Sequence, residues 1–283
     1  PQHHARVRAP PQHRLPRPEP RKQSLAVGLP EPGRIAEDVP GLVAAGGRLT
    51  LPRLEQAYRQ GLFPWFGPGQ PVLWWSPDPR MVLRVADFRL HRSLRKTLAH
   101  FLRTPGCAIR FDHAFDDVID ACARTPRAGQ DGTWIVPAMQ RAYRAWHRAG
   151  RVHSVETWDG DRLVGGLYFV AVGRMVFGES MFSLRADASK LALAALVAAC
   201  RARGVALIDC QQHTGHLASL GACEMPRADF LRQLALARDA PEFADWTYDE
   251  SDWGALDPRL LPVPPQQGAA TTTPPTAAED QAT

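Results

Sequence analysis

Four polar side chains stand in segments otherwise built for burial: Glu156 in HSVETW, Glu179 in GESMFS, and Asp209 and Gln211 in LIDCQ. Burying such a group without a partner costs about 1–3 kcal/mol, so their presence there points to a site. Residues two apart on a strand share a face, about 6.6 Å from one another. That spacing places Asp209 and Gln211 on one side with Cys210 opposite, and Glu179 together with Met181 on one side of their own strand. An acid and an amide beside an apolar, Met-bearing slot form a locus for acyl transfer. Leu193, Leu196 and Cys200 recur at helical spacing between the two strands, as core and as a candidate wall of that slot.

The elements that must hold these groups are readable from His153 to Gln211. Three β-branched, apolar runs (153–158, 163–172 and 174–183) are separated by Asp159-Gly160-Asp161 and Val172-Gly173, which punctuate hairpins. A helical pattern from about Ala188 to Arg203 stops at Gly204, and a short buried strand, 205–211, follows. The order is three antiparallel strands, a helix and a further strand, which predicts a mixed α+β class. Upstream, Thr50 is placed to cap a helix that carries Pro52 in its first turn and ends near Gln60. Further helices are expected over 115–123 and 137–149, with a loop at 125–133 between them.

Residues 61–80 hold two Pro-flanked aromatic clusters: Phe63, Trp65 and Phe66, then Trp74 and Trp75. They serve either as the core of a small unit or as a platform on which a flat ligand such as a base stacks. Trp134, just before a helix, offers the same two readings. Residues 84–103 carry six Arg or Lys and one Asp. From Arg92 onward Leu94, Leu98, Phe101 and Leu102 form an apolar stripe, with Arg92, Arg95, Lys96 and Arg103 on the other side. A solvated helix face and a phosphate-binding face are both compatible with that pattern. Elsewhere charge is balanced: the formal net charge of +5 is carried by residues 1–34, which hold seven Lys/Arg and two Glu. Residues 1–25 and 258–283 are Pro-rich and poor in apolar side chains, which predicts disordered tails. They leave a small unit at 26–80 and a larger one at 81–250.

Several chemistries are disfavoured. The five cysteines form no CxxC, and they sit mostly in apolar patterns, as expected of a reducing, cytoplasmic compartment. No run of 18 apolar residues and no apolar leader is present, so no membrane partner is expected. Gly178-Glu179-Ser180-Met181-Phe182 lacks the second Gly of a nucleophile elbow, and no Walker A loop occurs. Cys210, His213, His216 and Cys223 do not have finger spacing, so no metal is expected; the two histidines read as local hydrogen-bonding groups near a helix start. The strand–strand–strand–helix–strand order resembles an acyl-CoA N-acyltransferase (GNAT) core, but SLRADASK stands where that fold's glycine-rich pyrophosphate loop would precede the helix. Coenzyme A is thereby disfavoured and no cofactor is expected. A coenzyme A-dependent N-acyltransferase and a non-catalytic RNA-binding module remain the alternatives.

Taken together, GLFPWF, WWSPDPR, GTWI, HSVETW, LVGGLY, GESMFS, DASK, LIDCQ and HLASLGA, in this order from about Leu29 to Phe230, resemble the leucyl/phenylalanyl-tRNA–protein transferases. The resemblance implies a small N-terminal domain and a GNAT-like catalytic domain. It implies transfer of Leu or Phe, and less well Met, from aminoacyl-tRNA to the α-amine of proteins starting with Lys or Arg, creating an N-terminal degradation signal; a monomer is the expectation, although the sequence itself does not show the oligomeric state. On matching motif positions it implies catalytic roles for Asp209, Gln211 and Glu179. It assigns adenosine stacking to Trp65 and Trp134, and an aminoacyl pocket at Leu167 and Met181, joined by Leu193, Leu196 and Ile208. The acceptor stem would lie on Arg92, Arg95, Lys96 and Arg103. Two departures stand out: Phe169, where LVGGLYG is usual, at a pocket wall, and Asp187, where NASK is usual, still able to cap the helix. On this reading Asp209 accepts a hydrogen bond from the Gln211 amide NH₂ and so polarises the carbonyl that receives the attacking amine, whose proton goes either there or to a 2′/3′ hydroxyl of the tRNA's terminal ribose. Glu179 holds an ammonium of donor or acceptor.

Overall fold

The computed structural model describes Leu29 and residues 39–126, 133–243 and 245–261. Most of both expected tails, and most of the 125–133 loop, lie outside the described residues. In chain order the elements are β1 (Leu42–Ala45), α1 (Leu51–Arg59), β2 (Phe63–Pro64), β3 (Leu73–Trp75), β4 (Arg80–Arg84), α2 (Arg92–Arg103), β5 (Cys107–Phe111), α3 (Phe115–Arg124), α4 (Pro137–Arg148), β6 (Val152–Asp159), β7 (Arg162–Val172), β8 (Met175–Ser183), α5 (Ala188–Ala202), β9 (Leu207–Gln211), α6 (Gly215–Ser219), β10 (Cys223–Met225), α7 (Arg227–Arg238) and α8 (Asp252–Leu256). A small antiparallel sheet is ordered β1-β3-β2, and a seven-stranded one β10-β4-β9-β8-β7-β6-β5. The large sheet is antiparallel except where β9 joins β8, because α5 carries the chain back to start β9 in the direction of β8. The class is the expected mixed one, with a smaller N-terminal unit before the larger sheet.

Helices cover both faces of the large sheet, and each face has its own core. On one side α1, α3, α4, α7 and the small sheet bury Leu54, Tyr58, Phe63, Trp74, Tyr143, Phe177 and Phe230 together. On the other, α2, α5 and the C-terminal segment bury Leu98, Phe169, Val176, Leu196, Ile208, Trp246 and Trp253. α5 is apolar nearly all round, because β7, β8 and the C-terminal helix α8 enclose it. Its first turn lies so close to β7 that a Cβ on Gly165 would come within 2.5 Å of the Ala188 Cβ. That approach explains a glycine in the interior of a strand.

Some local expectations differ in detail. Thr50 and Asp187 stand at N-cap positions but make no side-chain cap. Asp187 has φ 63, and its carboxylate accepts from Lys190 Nζ at 2.7 Å, which takes it away from the helix amides. Pro258–Leu260, the first residues of the expected C-terminal tail, form a 3-10 turn with Leu260 buried.

Candidate active site

Glu179 owes its position to an irregularity. The β7–β8 pairs run from Gly165–Ser183 to Tyr168–Ser180 and then pass to Phe169–Gly178, leaving Glu179 with no counterpart. The extra residue changes which core each side chain enters: Phe177 and Phe182 both reach the first, Val176 and Met181 both reach the second. Glu179 points to the first core, where Tyr58 and Tyr143 meet it. The expected shared face of Glu179 and Met181 is therefore wrong. A bulge between them breaks the two-residue alternation.

A second bulge shapes β9. Asp209 pairs with Val82 and Gln211 with Met81, so Cys210 is the unmatched residue. Gln211 then adopts φ 63, a conformation uncommon outside glycine. Its amide Nε2 donates to Glu179 Oε1 at 3.0 Å. Asp209, Gln211 and Glu179 do converge, through two bulges and a left-handed residue.

The bonds among them differ from expectation. Asp209 is fully buried and spends both oxygens on structure: Oδ1 accepts from Arg80 Nε at 2.8 Å and from the Gln211 backbone N–H at 2.9 Å, and Oδ2 accepts from Arg80 Nη2 at 2.6 Å. The expected bond from the Gln211 amide to Asp209 is absent, because Asp209 is already saturated and the amide has turned to Glu179. Arg80, missed by the sequence reading, is itself fully buried. The available signal was electrostatic: a buried Asp209 demands a cation, and Arg80 opens the apolar strand MVL after WWSPDP.

Tyr58 and Tyr143, also missed, complete the environment of Glu179. Tyr58 donates to Glu179 Oε1 at 2.7 Å, its hydroxyl lies 2.5 Å from that of Tyr143, and Tyr143 donates to Oε2 at 3.4 Å. Burial pushes the Glu179 carboxyl up to about 8, against the smaller opposing effect of the Tyr58 hydrogen bond. Both phenols are pushed well above their ordinary value, first by burial and then by the neighbouring carboxyl. The arrangement is a proton-accepting group poised near neutrality, hydrogen-bonded to an amide whose carbonyl oxygen is thereby oriented.

β8 and β9 pair only at Val176–Ile208 and Phe177–Asp209. Glu179, Met181 and Gln211 lie beyond the last pair, where the two strands no longer hydrogen-bond. Leu167 and Met181 face one another across β7 and β8. Leu193, Leu196 and Ile208 are buried in the same second core, while Met181 is half-buried. Trp65 and Trp134 are half-buried against the first core, on the Glu179 side, with Trp65 set edge-on to Trp75 at 5.5 Å. A cavity of about 360 Å³ lies elsewhere, lined by Phe111, Asp112, His153, Phe243 and Trp246 among others, and none of Glu179, Asp209 and Gln211 borders it.

On α2, Arg92, Lys96 and Arg103 are exposed, but Arg95 is half-buried and 3.9 Å from Asp257. That acidic partner comes from the C-terminal segment and makes Arg95 the least available of the four cations. Glu156 belongs to structure rather than to this site: Oε1 accepts from the Ala114 N–H at 2.7 Å and from Ser154 Oγ at 2.9 Å, and Oε2 accepts from Trp158 Nε1 at 2.9 Å. Those bonds fasten the turn that starts α3. Among the described residues no three His, Cys, Asp or Glu side chains gather as metal ligands would, and no helix is long and apolar enough to cross a membrane.

Comparison with known proteins adds an independent line. Residues 82–235 match the family described as leucyl/phenylalanyl-tRNA protein transferase, and residues 47–78 match its N-terminal domain. A leucyl/phenylalanyl-tRNA–protein transferase of Leptothrix cholodnii is 61% identical over 81% of this chain and 91% of its own length. One from a Polaromonas species is 66% identical over 70% of this chain and 78% of its own length. One from Bordetella bronchiseptica is 51% identical over 86% of this chain and 97% of its own length.

Proposed function

The chain belongs to the leucyl/phenylalanyl-tRNA protein transferase family and is an aminoacyltransferase, and we propose that it moves Leu or Phe, and less well Met, from tRNA to the α-amine of proteins that begin with Lys or Arg. The product would carry an N-terminal degradation signal. The observation that carries the mechanism is the Gln211–Glu179 hydrogen bond beside an Asp209 saturated by Arg80.

An acceptor α-ammonium has an ordinary pKa of about 7.7–8, close to that of Glu179 at about 8. Proton transfer from the ammonium to the Glu179 carboxylate is therefore nearly thermoneutral. The free amine, held by a hydrogen bond to the Gln211 carbonyl oxygen, attacks the ester carbon. The C–N bond forms, the ester C–O bond breaks, and the second nitrogen proton passes to the departing ribose oxygen. The tRNA supplies the leaving group, so no covalent enzyme intermediate is required. Orientation is the main contribution of Gln211, since an amide is a poor base.

The terminal adenosine would stack on Trp65 and Trp134, and the aminoacyl side chain would enter beside Leu167 and Met181, with Leu193, Leu196 and Ile208 behind them. Exposed Arg92 and Lys96 would contact phosphate, with Arg103 and Arg95 contributing less. The deciding assay incubates labelled Leu-tRNA with an Arg-initiated peptide and with the same peptide begun by Ala. Label on the Arg peptide alone is the expected result; equal label on both would refute the acceptor preference, and none on either would refute the donor assignment.

A further inference from the structure

The Arg80 guanidinium is held on every side. Besides the two bonds to Asp209, Nη1 donates to the Gly61 carbonyl at 3.0 Å. Its Cζ lies over two rings, 4.5 Å from the centroid of Phe230 and 4.9 Å from that of Phe63. Gly61 itself cannot carry a side chain there: its φ is +77, and a Cβ would come within 2.6 Å of Leu231 and 3.1 Å of Phe230. Four elements therefore converge on one cation: the turn after α1, β2, α7 and, through Asp209, β9. Burial of a charge on this scale is tolerated only with full pairing and satisfied hydrogen bonds.

From this geometry we infer that Arg80 is a positioning residue for the transfer reaction, acting through Asp209 to hold the Gln211 backbone in its left-handed conformation and thus its amide on Glu179. The chain of contact is continuous: guanidinium to carboxylate, the same carboxylate oxygen to the Gln211 N–H, and the Gln211 amide to the glutamate. A lysine would keep the charge but lose the planar fork that engages both carboxylate oxygens and the Gly61 carbonyl at once. The inference also ties the N-terminal unit to the chemistry. Phe63 and Gly61 set the plane and position of the guanidinium, and Phe63 is two residues from the half-buried Trp65.

This inference rests on the aminoacyl-transfer reading above, and a double-mutant cycle separates the two. Transfer of Leu from Leu-tRNA to an Arg-initiated peptide is measured for the wild type, Arg80→Lys, Gln211→Ala and the double variant, with folding of each followed by circular dichroism. Arg80→Lys is expected to lower kcat at least about ten-fold, as a small misplacement of a reacting group does, with KM for the aminoacyl-tRNA unchanged within about two-fold. In the Gln211→Ala background the same change is expected to cost almost nothing further, because the group through which Arg80 acts is gone. Phe230→Leu, which removes one ring from the guanidinium and keeps its charge, should give a smaller kcat loss that also disappears in that background. Wild-type transfer with a folded Arg80→Lys of unchanged kcat, or with losses that multiply in the double variant, overturns the positioning role alone. Absence of transfer by the wild type overturns both readings.

Discussion

Replacing Glu179 by Gln gives a test that needs no substrate. The carboxyl sits at about 8 in the folded chain against an ordinary value of 4.5. Between these values the folded state retains a proton that the unfolded state has released, so unfolding becomes easier as pH rises. The stabilising contribution is complete below about pH 4.5 and is lost as pH climbs through about 8. Each pH unit inside that window is worth about 1.4 kcal/mol. Two units, from pH 5.5 to 7.5, thus correspond to roughly 2–3 kcal/mol. Glu179 is only 8% exposed, so solvent does little to screen the effect. Glutamine preserves shape and hydrogen-bonding capacity without titrating. Urea unfolding followed by tryptophan fluorescence at several pH values, for both proteins, yields the difference directly, since every other side chain is common to both. The wild type should lose roughly 2–3 kcal/mol relative to Glu179→Gln across that interval. Parallel stability curves would show that Glu179 ionises normally, and the proton-transfer step proposed for it would fail.

Four further outcomes are expected. Gln211→Ala should lower turnover at least about 10²-fold while aminoacyl-tRNA affinity measured by filter binding holds, as loss of an orienting group at the reacting centre does; a change in affinity alone would contradict that role. Asp209→Asn strips the buried Arg80 of its counter-charge and should destabilise the chain by about 3–5 kcal/mol in denaturant titrations, whereas a stability close to wild type would mean the pair is dispensable. Gly165→Ala drives a methyl into the first turn of α5 and should cost about 1–3 kcal/mol, measurable as a lowered Tm. Reversing charge at Arg92 and Lys96 should weaken binding of any tRNA and reduce the slope of log affinity against log salt by about 1.4–1.8 for two lost phosphate contacts; an unchanged slope would leave that helix face merely solvated.

The strands and helices around the site were legible because burial leaves strong periodic marks: 153–158, 163–172 and 174–183 became β6, β7 and β8 within one residue at each end, and Gly204 closes α5 as expected. What escaped was whatever depends on pairing rather than on pattern. Nothing within GESMFS announces that Glu179 lacks a partner on β7, since a bulge is a relation between two strands. Nothing in LIDCQ announces the left-handed Gln211. Arg80 and Asp209 are 129 positions apart, beyond the reach of any local periodicity. Capping was over-read for a related reason: Thr50 and Asp187 are suitable residue types, but Lys190 competes successfully for Asp187. Glu156 looked like site chemistry because a buried acid carries the same mark whether it reacts or fastens a turn.

The bulge at Glu179 has a consequence for how tolerant this strand is to change. Every other residue of β8 is committed to a neighbour on β7, and altering it disturbs a matched pair. Glu179 alone is supernumerary, so its identity is free to follow the demands of reactivity without renegotiating the sheet. Its presence is likewise separable from the ladder: deleting that single codon would restore an uninterrupted alternation with Met181 still opposite Leu167 and Phe182 still opposite Gly166, removing the carboxylate while leaving both faces of the strand as they are.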